Sequence, residues 1–227
     1  MLVISSHINY GKALEKILDN LYYFKVDISK VVIVIAGCSC ANGISHTYVK
    51  NGIRFIKVAT NFYELTAIYG VFLYLDELFP EEQNFVFIQD TCILLHHFNE
   101  AYTEFINNMM RFNADVYYAS ADKRCNIVGL SRNYIKECGK EYGITANKTA
   151  AWDVEENRSD LSFEKMAVKN DMKVISSLIP TECAVSTIKY EDSDIIRIRV
   201  FFQSLGLIKL VAANSNINPH WEKRIYP

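Results

Sequence analysis

Residues 31–36 constrain the fold more than any other stretch of this chain. They read Val-Val-Ile-Val-Ile-Ala, an unbroken apolar run closed by Gly37. A strand with one wet face alternates apolar and polar residues. A run apolar on both faces belongs inside a sheet that is covered on both sides. Residues 85–88, Phe-Val-Phe-Ile, repeat the pattern, and residues 2–5, Leu-Val-Ile-Ser, begin a shorter version. Between the first strand and residue 31, Tyr10, Ala13, Leu14, Ile17, Leu18 and Leu21 fall on one helical face. Residues 1–36 therefore predict a β-α-β unit with a parallel pair and a right-handed crossover.

Further along, residues 48–50 and 53–58 flank Asn51-Gly52, two residues that tolerate the positive φ of a type I′ turn, and so predict a hairpin. Leu65, Ile68, Tyr69, Phe72, Leu75 and Phe79 predict one helix over 62–79, closed by Pro80. A helix over about 98–111, strands near 116–118 and 126–128, and a short helix over 131–141 follow. Residues 143–160 are polar and acidic and read as a loop. A helix restarts near Ser162, another is expected over 195–205, and residues 207–211 form a last strand before a polar tail. Strand and helix alternate throughout. The fold class expected is α/β, three layers deep (α/β/α), with a mostly parallel, mixed central sheet.

At 227 residues the chain is long enough for one domain with a sizeable core, and its nine Gly and four Pro leave little for long linkers. A net charge of −2 speaks against a bulk electrostatic grip on nucleic acid. No segment approaches the roughly 20 apolar residues that span a bilayer. The first residues lack the basic and apolar regions of a signal peptide, so a cytoplasmic location is expected. Cys38, Cys40, Cys92, Cys125, Cys138 and Cys183 are scattered and complete no zinc spacing, which fits reduced thiols. Asn147-Lys148-Thr149 and Asn157-Arg158-Ser159 match the glycosylation sequon by chance.

Ligands of open α/β sheets bind beyond the carboxyl ends of the strands. The residues to weigh there are Ser5, Ser6 and His7, then Gly37 with Cys38 and Ser39, then Asn61, then Gln89, Asp90 and Thr91. Capping of the following helices is the competing role for each. No P-loop, G-x-G-x-x-G or G-x-S-x-G sequence is present. His96-His97 has no acidic or cysteine partner at ligand spacing and reads as surface or packing. Asp90 differs from the rest. A carboxylate just past a very apolar strand is costly unless it is paired or bound to a cation, and Mg²⁺ or Mn²⁺ carrying a diphosphate would satisfy it.

The order β-α-β, the spacing Asn61-x-x-Glu64-x-x-Ala67 and the strand ending Phe-Ile-Gln-Asp90-Thr-Cys resemble the GT-A fold glycosyltransferases. The similarity is to family-2-like domains, including the small ones encoded by large DNA viruses. It covers about residues 1–130 well and the rest loosely. The resemblance implies a single domain over 1–227, with a nucleotide-sugar-binding half over 1–130 and an acceptor-binding half over 131–227. It implies a nucleoside-diphosphate sugar donor, gripped by Ser5, Ser6, His7 and Gly37, with Asn61, and a saccharide or glycan acceptor. It also implies Mn²⁺ or Mg²⁺ at a D-x-D motif. Here Gln89-Asp90-Thr91 supplies one carboxylate instead of two, and His220 is the candidate for a further metal ligand. Inverting members use a downstream acid as general base, for which Asp153, Glu155 and Glu156 are the candidates, with Trp152 as an acceptor platform or core anchor. Two alternatives stay open. One is a sugar nucleotidyltransferase, although no Gly-rich phosphate loop follows the first strand. The other is a catalytically degenerate domain that binds a sugar or a protein.

Overall fold

A computed structural model of the chain describes residues 1–123, 127–190 and 193–212. The apolar runs become the middle of an eight-stranded sheet. Strand β1 (Leu2–His7) and strand β2 (Val31–Ala36) lie parallel, Leu2 opposite Val31 and His7 opposite Ala36, joined by helix α1 (Gly11–Tyr23). Of the expected helical stripe, Ala13, Ile17 and Leu21 are buried, Leu14 and Leu18 pack at the edge of the core, and Tyr10 is exposed.

Strands β3 (Ser45–Lys50) and β4 (Ile53–Val58) form the expected hairpin. Its turn residues Asn51 and Gly52 have φ of 51° and 80°, as a type I′ turn requires. β4 then adds parallel to β2.

The single helix expected over 62–79 is instead two: α2 (Thr66–Leu73) and the one-turn α3 (Leu75–Leu78), separated at Tyr74. The start is late because side chains take the first amides. Asn61 Oδ1 accepts from Tyr63 N–H at 3.1 Å, and Thr66 Oγ1 accepts from Phe62 N–H at 2.6 Å. α2 sits close on β2: a Cβ at Gly70 would lie 2.5 Å from Val34 Cγ1.

Strand β5 (Asn84–Gln89) runs parallel to β1, with Ser5 opposite Gln89, and the three-residue β6 (Cys92–Leu94) follows at once. Helix α4 (Phe98–Phe112) ends at Asn113 in the left-handed conformation. Strands β7 (Val116–Tyr118) and β8 (Val128–Ser131) and helix α5 (Arg132–Cys138) come next. Residues 143–160 are not all loop. They contain α6 (Lys148–Glu155), which Asn147 caps by accepting from Ala150 N–H at 2.9 Å, and which buries Ala151 and Val154. Helix α7 (Phe163–Lys169) starts at Ser162 as expected, followed by β9 (Val174–Ser176).

The helix expected over 195–205 is a strand. β10 (Glu182–Tyr190) and β11 (Ser193–Phe202) form a long antiparallel pair, and β12 (Leu207–Ala212) adds to it. The alternation Ile196, Ile198, Val200, Phe202 has the period of a strand and the β-branched content of one.

The main sheet has the order β3-β4-β2-β1-β5-β8-β7-β9, and the smaller antiparallel sheet β10-β11-β12-β6. The expected mixed α/β sheet is thus present, parallel from β4 through β2 and β1 to β5. Alternate strand residues feed two cores. Val3, Val32 and Phe87 pack with α2, α5, α6 and α7. Leu2, Ile33 and Val86 pack with α1, α4 and the small sheet. Among the described residues, no helix is long and apolar enough to cross a membrane.

Candidate functional site

The parallel strands bring their carboxyl ends to one rim, and the side chains there hold one another. Ser6 Oγ–H donates to Asp90 Oδ2 at 2.7 Å, with Ser6 4% and Asp90 5% exposed. The Asp90 N–H donates to Ser5 O at 2.9 Å, which continues the β1–β5 ladder one residue past β5. A strand, β6, follows Asp90, so its carboxylate caps no helix. Placed this deep, an ionised oxygen is stable only where donors replace water.

His7, the next residue of β1, is half-buried. Its Nε2 lies 3.1 Å from Asn61 Nδ2, and its Nδ1 accepts from Asn9 N–H at 3.2 Å. Burial lowers its pKa from the ordinary value of 6.5, so the ring is neutral at pH 7. Gly37 makes this packing possible. Its φ is +73°, and a Cβ there would meet His7 Nε2 at 2.9 Å. Its N–H donates to Thr60 O at 3.1 Å.

Gln89 stands opposite Ser5, and its Nε2 is buried with no hydrogen-bond partner among the described residues. The same holds for Thr91 Oγ1 and Thr60 Oγ1. Buried polar atoms normally have partners, so these three mark where the rim is incomplete by itself. Two contact groups therefore lie at this rim, Ser6 with Asp90 and His7 with Asn61 and Gly37, while Ser5, Gln89 and Thr91 stand at the same strand ends.

The acidic stretch divides. Asp153 pairs with Arg158 at 3.0 Å, both partners well exposed, and its carbonyl accepts from Arg158 and Ser159 N–H. The Arg158 guanidinium also lies over the Trp152 ring, 4.3 Å from its centre. Asp153 and Trp152 thus hold the end of α6. Glu156 closes the helix, its N–H donating to Trp152 O at 2.9 Å.

Glu155 turns the other way. Its carboxyl lies beside that of Glu64, in the turn before α2. Burial pushes the Glu155 pKa well above the ordinary range, helped by the Glu64 charge and hydrogen bond and opposed by Lys209. For Glu64 burial acts upward too, but the hydrogen bond from Glu155 and the charges of Lys209 and Lys148 win, and its pKa is lowered. Lys209, on β12, is only 7% exposed. It stands opposite Cys92, two residues past Asp90, and Leu210 N–H donates to Thr91 O at 3.1 Å. Burial raises the Cys92 thiol to about 12, although Lys209 acts to lower it.

Glu64 and Lys209 were not singled out as site residues by sequence. Glu64 entered only through its spacing from Asn61, and Lys209 only as the polar member of a strand.

His220 lies outside the described residues. Among those described, no three His, Cys, Asp or Glu side chains gather into a metal-holding group. The donor set suits a cation that arrives with a diphosphate and takes one protein carboxylate, Asp90, and does not suit a metal held by these residues alone.

No family profile and no curated protein matches the chain by sequence. Solved structures do resemble it. A cytidylyltransferase from Leptospira borgpetersenii serovar Hardjo-bovis is 13% identical, over 78% of this chain and 74% of the other, with a TM-score of 0.47. The galactosyltransferase LgtC in complex with donor and acceptor sugar analogs is 13% identical, over 78% and 73%, with a TM-score of 0.42. A glycosyltransferase involved in the glycosylation of the major capsid of PBCV-1 is 7% identical, over 78% and 82%, with a TM-score of 0.41.

Proposed function

We propose that the chain is a nucleotide-sugar-dependent glycosyltransferase, moving a sugar from a nucleoside-diphosphate donor to a saccharide hydroxyl with inversion. One observation carries this reading: the buried Asp90 carboxylate, held by Ser6 at the carboxyl end of the central parallel strands, beside the His7–Asn61–Gly37 cluster. In that position a diphosphate with its Mn²⁺ or Mg²⁺ meets a single fixed carboxylate. Such a cation would neutralise charge on the departing diphosphate.

Residues 1–130 then bind the donor. Ser5, Ser6, His7, Gly37, Asn61, Gln89 and Thr91 surround it, and the buried Gln89 Nε2 and Thr91 Oγ1 offer it hydrogen bonds. Residues 131–227 bind the acceptor, whose hydroxyl loses its proton as it attacks the anomeric carbon from the face opposite the diphosphate. The general base is one of Asp153, Glu155 and Glu156, the acids at the end of α6. A cytoplasmic location agrees with the free thiols of Cys38, Cys40, Cys92, Cys138 and Cys183.

A second reading, a sugar-binding domain without turnover, is favoured by the lone carboxylate at Asp90.

Thermal unfolding with nucleoside diphosphates and nucleotide sugars, with and without Mn²⁺, tests both. One nucleotide at a hundred times its dissociation constant adds about 2.7 kcal/mol, a rise of about 5–10 °C for a chain of this size. The rise should need Mn²⁺ and vanish in Asp90→Asn. No shift with any nucleotide would sink the transferase reading and leave the binding domain. A shift without donor turnover in the presence of sugar acceptors would leave the binding domain.

A further inference from the structure

Two buried groups at the rim have hydrogen bonds to give and nothing that takes them. Gln89 Nε2 can only donate, and among the described residues it has no acceptor. The Thr91 hydroxyl is buried and equally without a partner. The Asp90 carboxylate between them already takes the Ser6 hydroxyl.

A third donor reaches the same place from the far end of the chain. Lys209 stands directly across the β6–β12 ladder from Cys92, and Leu210 N–H donates to Thr91 O at 3.1 Å. Cross-strand neighbours have their Cβ atoms about 5 Å apart, so the lysine stem starts beside the residues that follow Asp90. The side chain is buried, and among the described residues it makes no hydrogen bond and no ion pair. An ammonium held this deep is costly unless an anion meets it. A ligand that completes Gln89, Thr91 and Lys209 together is rich in acceptor oxygens and negatively charged. A diphosphate spreads such oxygens over a length that several donors can share.

We propose that Lys209 grips the donor's diphosphate, so that β12 completes the site begun by β1 and β5. The ammonium then opposes the charge that grows on the diphosphate as the sugar leaves, beside a cation at Asp90. The donor half is therefore not closed within residues 1–130. The inference deepens the transferase reading and rests on it for the identity of the ligand; the anion site itself rests on the three donors. The competing role for Lys209 is counter-ion to Glu64, whose pKa it helps to lower. That role acts on the fold and is blind to phosphate.

The test is calorimetric binding of inorganic pyrophosphate, nucleoside diphosphates and the matching nucleosides to the full chain with Mg²⁺. It compares the wild type with Lys209→Met, Lys209→Gln and Lys209→Arg. Loss of a charged donor should weaken pyrophosphate and the bound nucleoside diphosphate about 10- to 100-fold in Lys209→Met. The nucleoside should bind as before, and Lys209→Arg should recover most of the loss. Lys209→Gln removes the charge but keeps a polar head, and reads the same loss if the Met variant does not fold. A wild type that binds the diphosphate no more tightly than the nucleoside overturns the proposal. So do equal losses for both ligands in the uncharged variants, which leave Lys209 a counter-ion. If pyrophosphate binds through Lys209 but no nucleoside diphosphate binds more tightly than pyrophosphate, the anion site stands and the transferase reading falls. If donor turnover is found and Lys209→Met changes neither it nor diphosphate affinity, the inference falls and the transferase reading stands.

Discussion

Ser6 reaches Asp90 from a strand whose neighbours on both sides are buried, whereas Asp153 reaches Arg158 from a helix of eight residues with both partners in water. The lengths are similar, 2.7 Å and 3.0 Å. Their energetic weight is not. At the rim Asp90 is buried, so a hydrogen bond lost there is not made good by water. At the end of α6, solvent and salt screen the pair and replace it at little cost. The rim is thus fixed by the core, and the last turn of α6 is tied by exposed contacts.

The largest break of this contrast is Ser6→Ala. It should cost about 1–3 kcal/mol by leaving the buried Asp90 oxygen without its hydroxyl, read as a lower urea midpoint at unchanged slope. Gly37→Ala comes next. A left-handed backbone costs a side chain about 1–2 kcal/mol, and the new methyl group displaces His7. The melting temperature should fall, and the His7 ring resonances should shift with it. Arg158→Ala should cost no more than about 1 kcal/mol, the sum of an exposed ion pair and a ring contact that water partly replaces. A loss there as large as that of Ser6→Ala would show that α6 is held as firmly as the rim.

The central strands were legible because residues 31–36 and 85–88 admit one environment, and the hairpin because Asn51-Gly52 admits one turn. The rim residues then followed from where those strands stop. α6 was hidden because its buried residues are few, Ala151 and Val154, in a stretch dominated by charge. Residues 195–205 misled because a dense apolar run satisfies both periods, and only its β-branched alternation separates them. The Glu64–Glu155–Lys209 group had no local signal at all. Its members come from three places in the chain, and nothing in the sequence near any one of them names the other two. At Gln89-Asp90-Thr91 the sequence shows one carboxylate, and its neighbours Gln89 and Thr91 bring buried uncharged polar atoms.

The three-residue strand β6 gives the molecule a timetable. It begins two residues after Asp90 and finds its partner in β12, Cys92 against Lys209 and Leu94 against Leu207. More than a hundred residues separate those partners. A ribosome adding about 5–20 residues per second takes on the order of ten seconds to cross that gap. Through that interval β1, β2 and β5 can already stand side by side while the segment after Asp90 has an open edge. The part of the rim that is written early in the chain is therefore finished last.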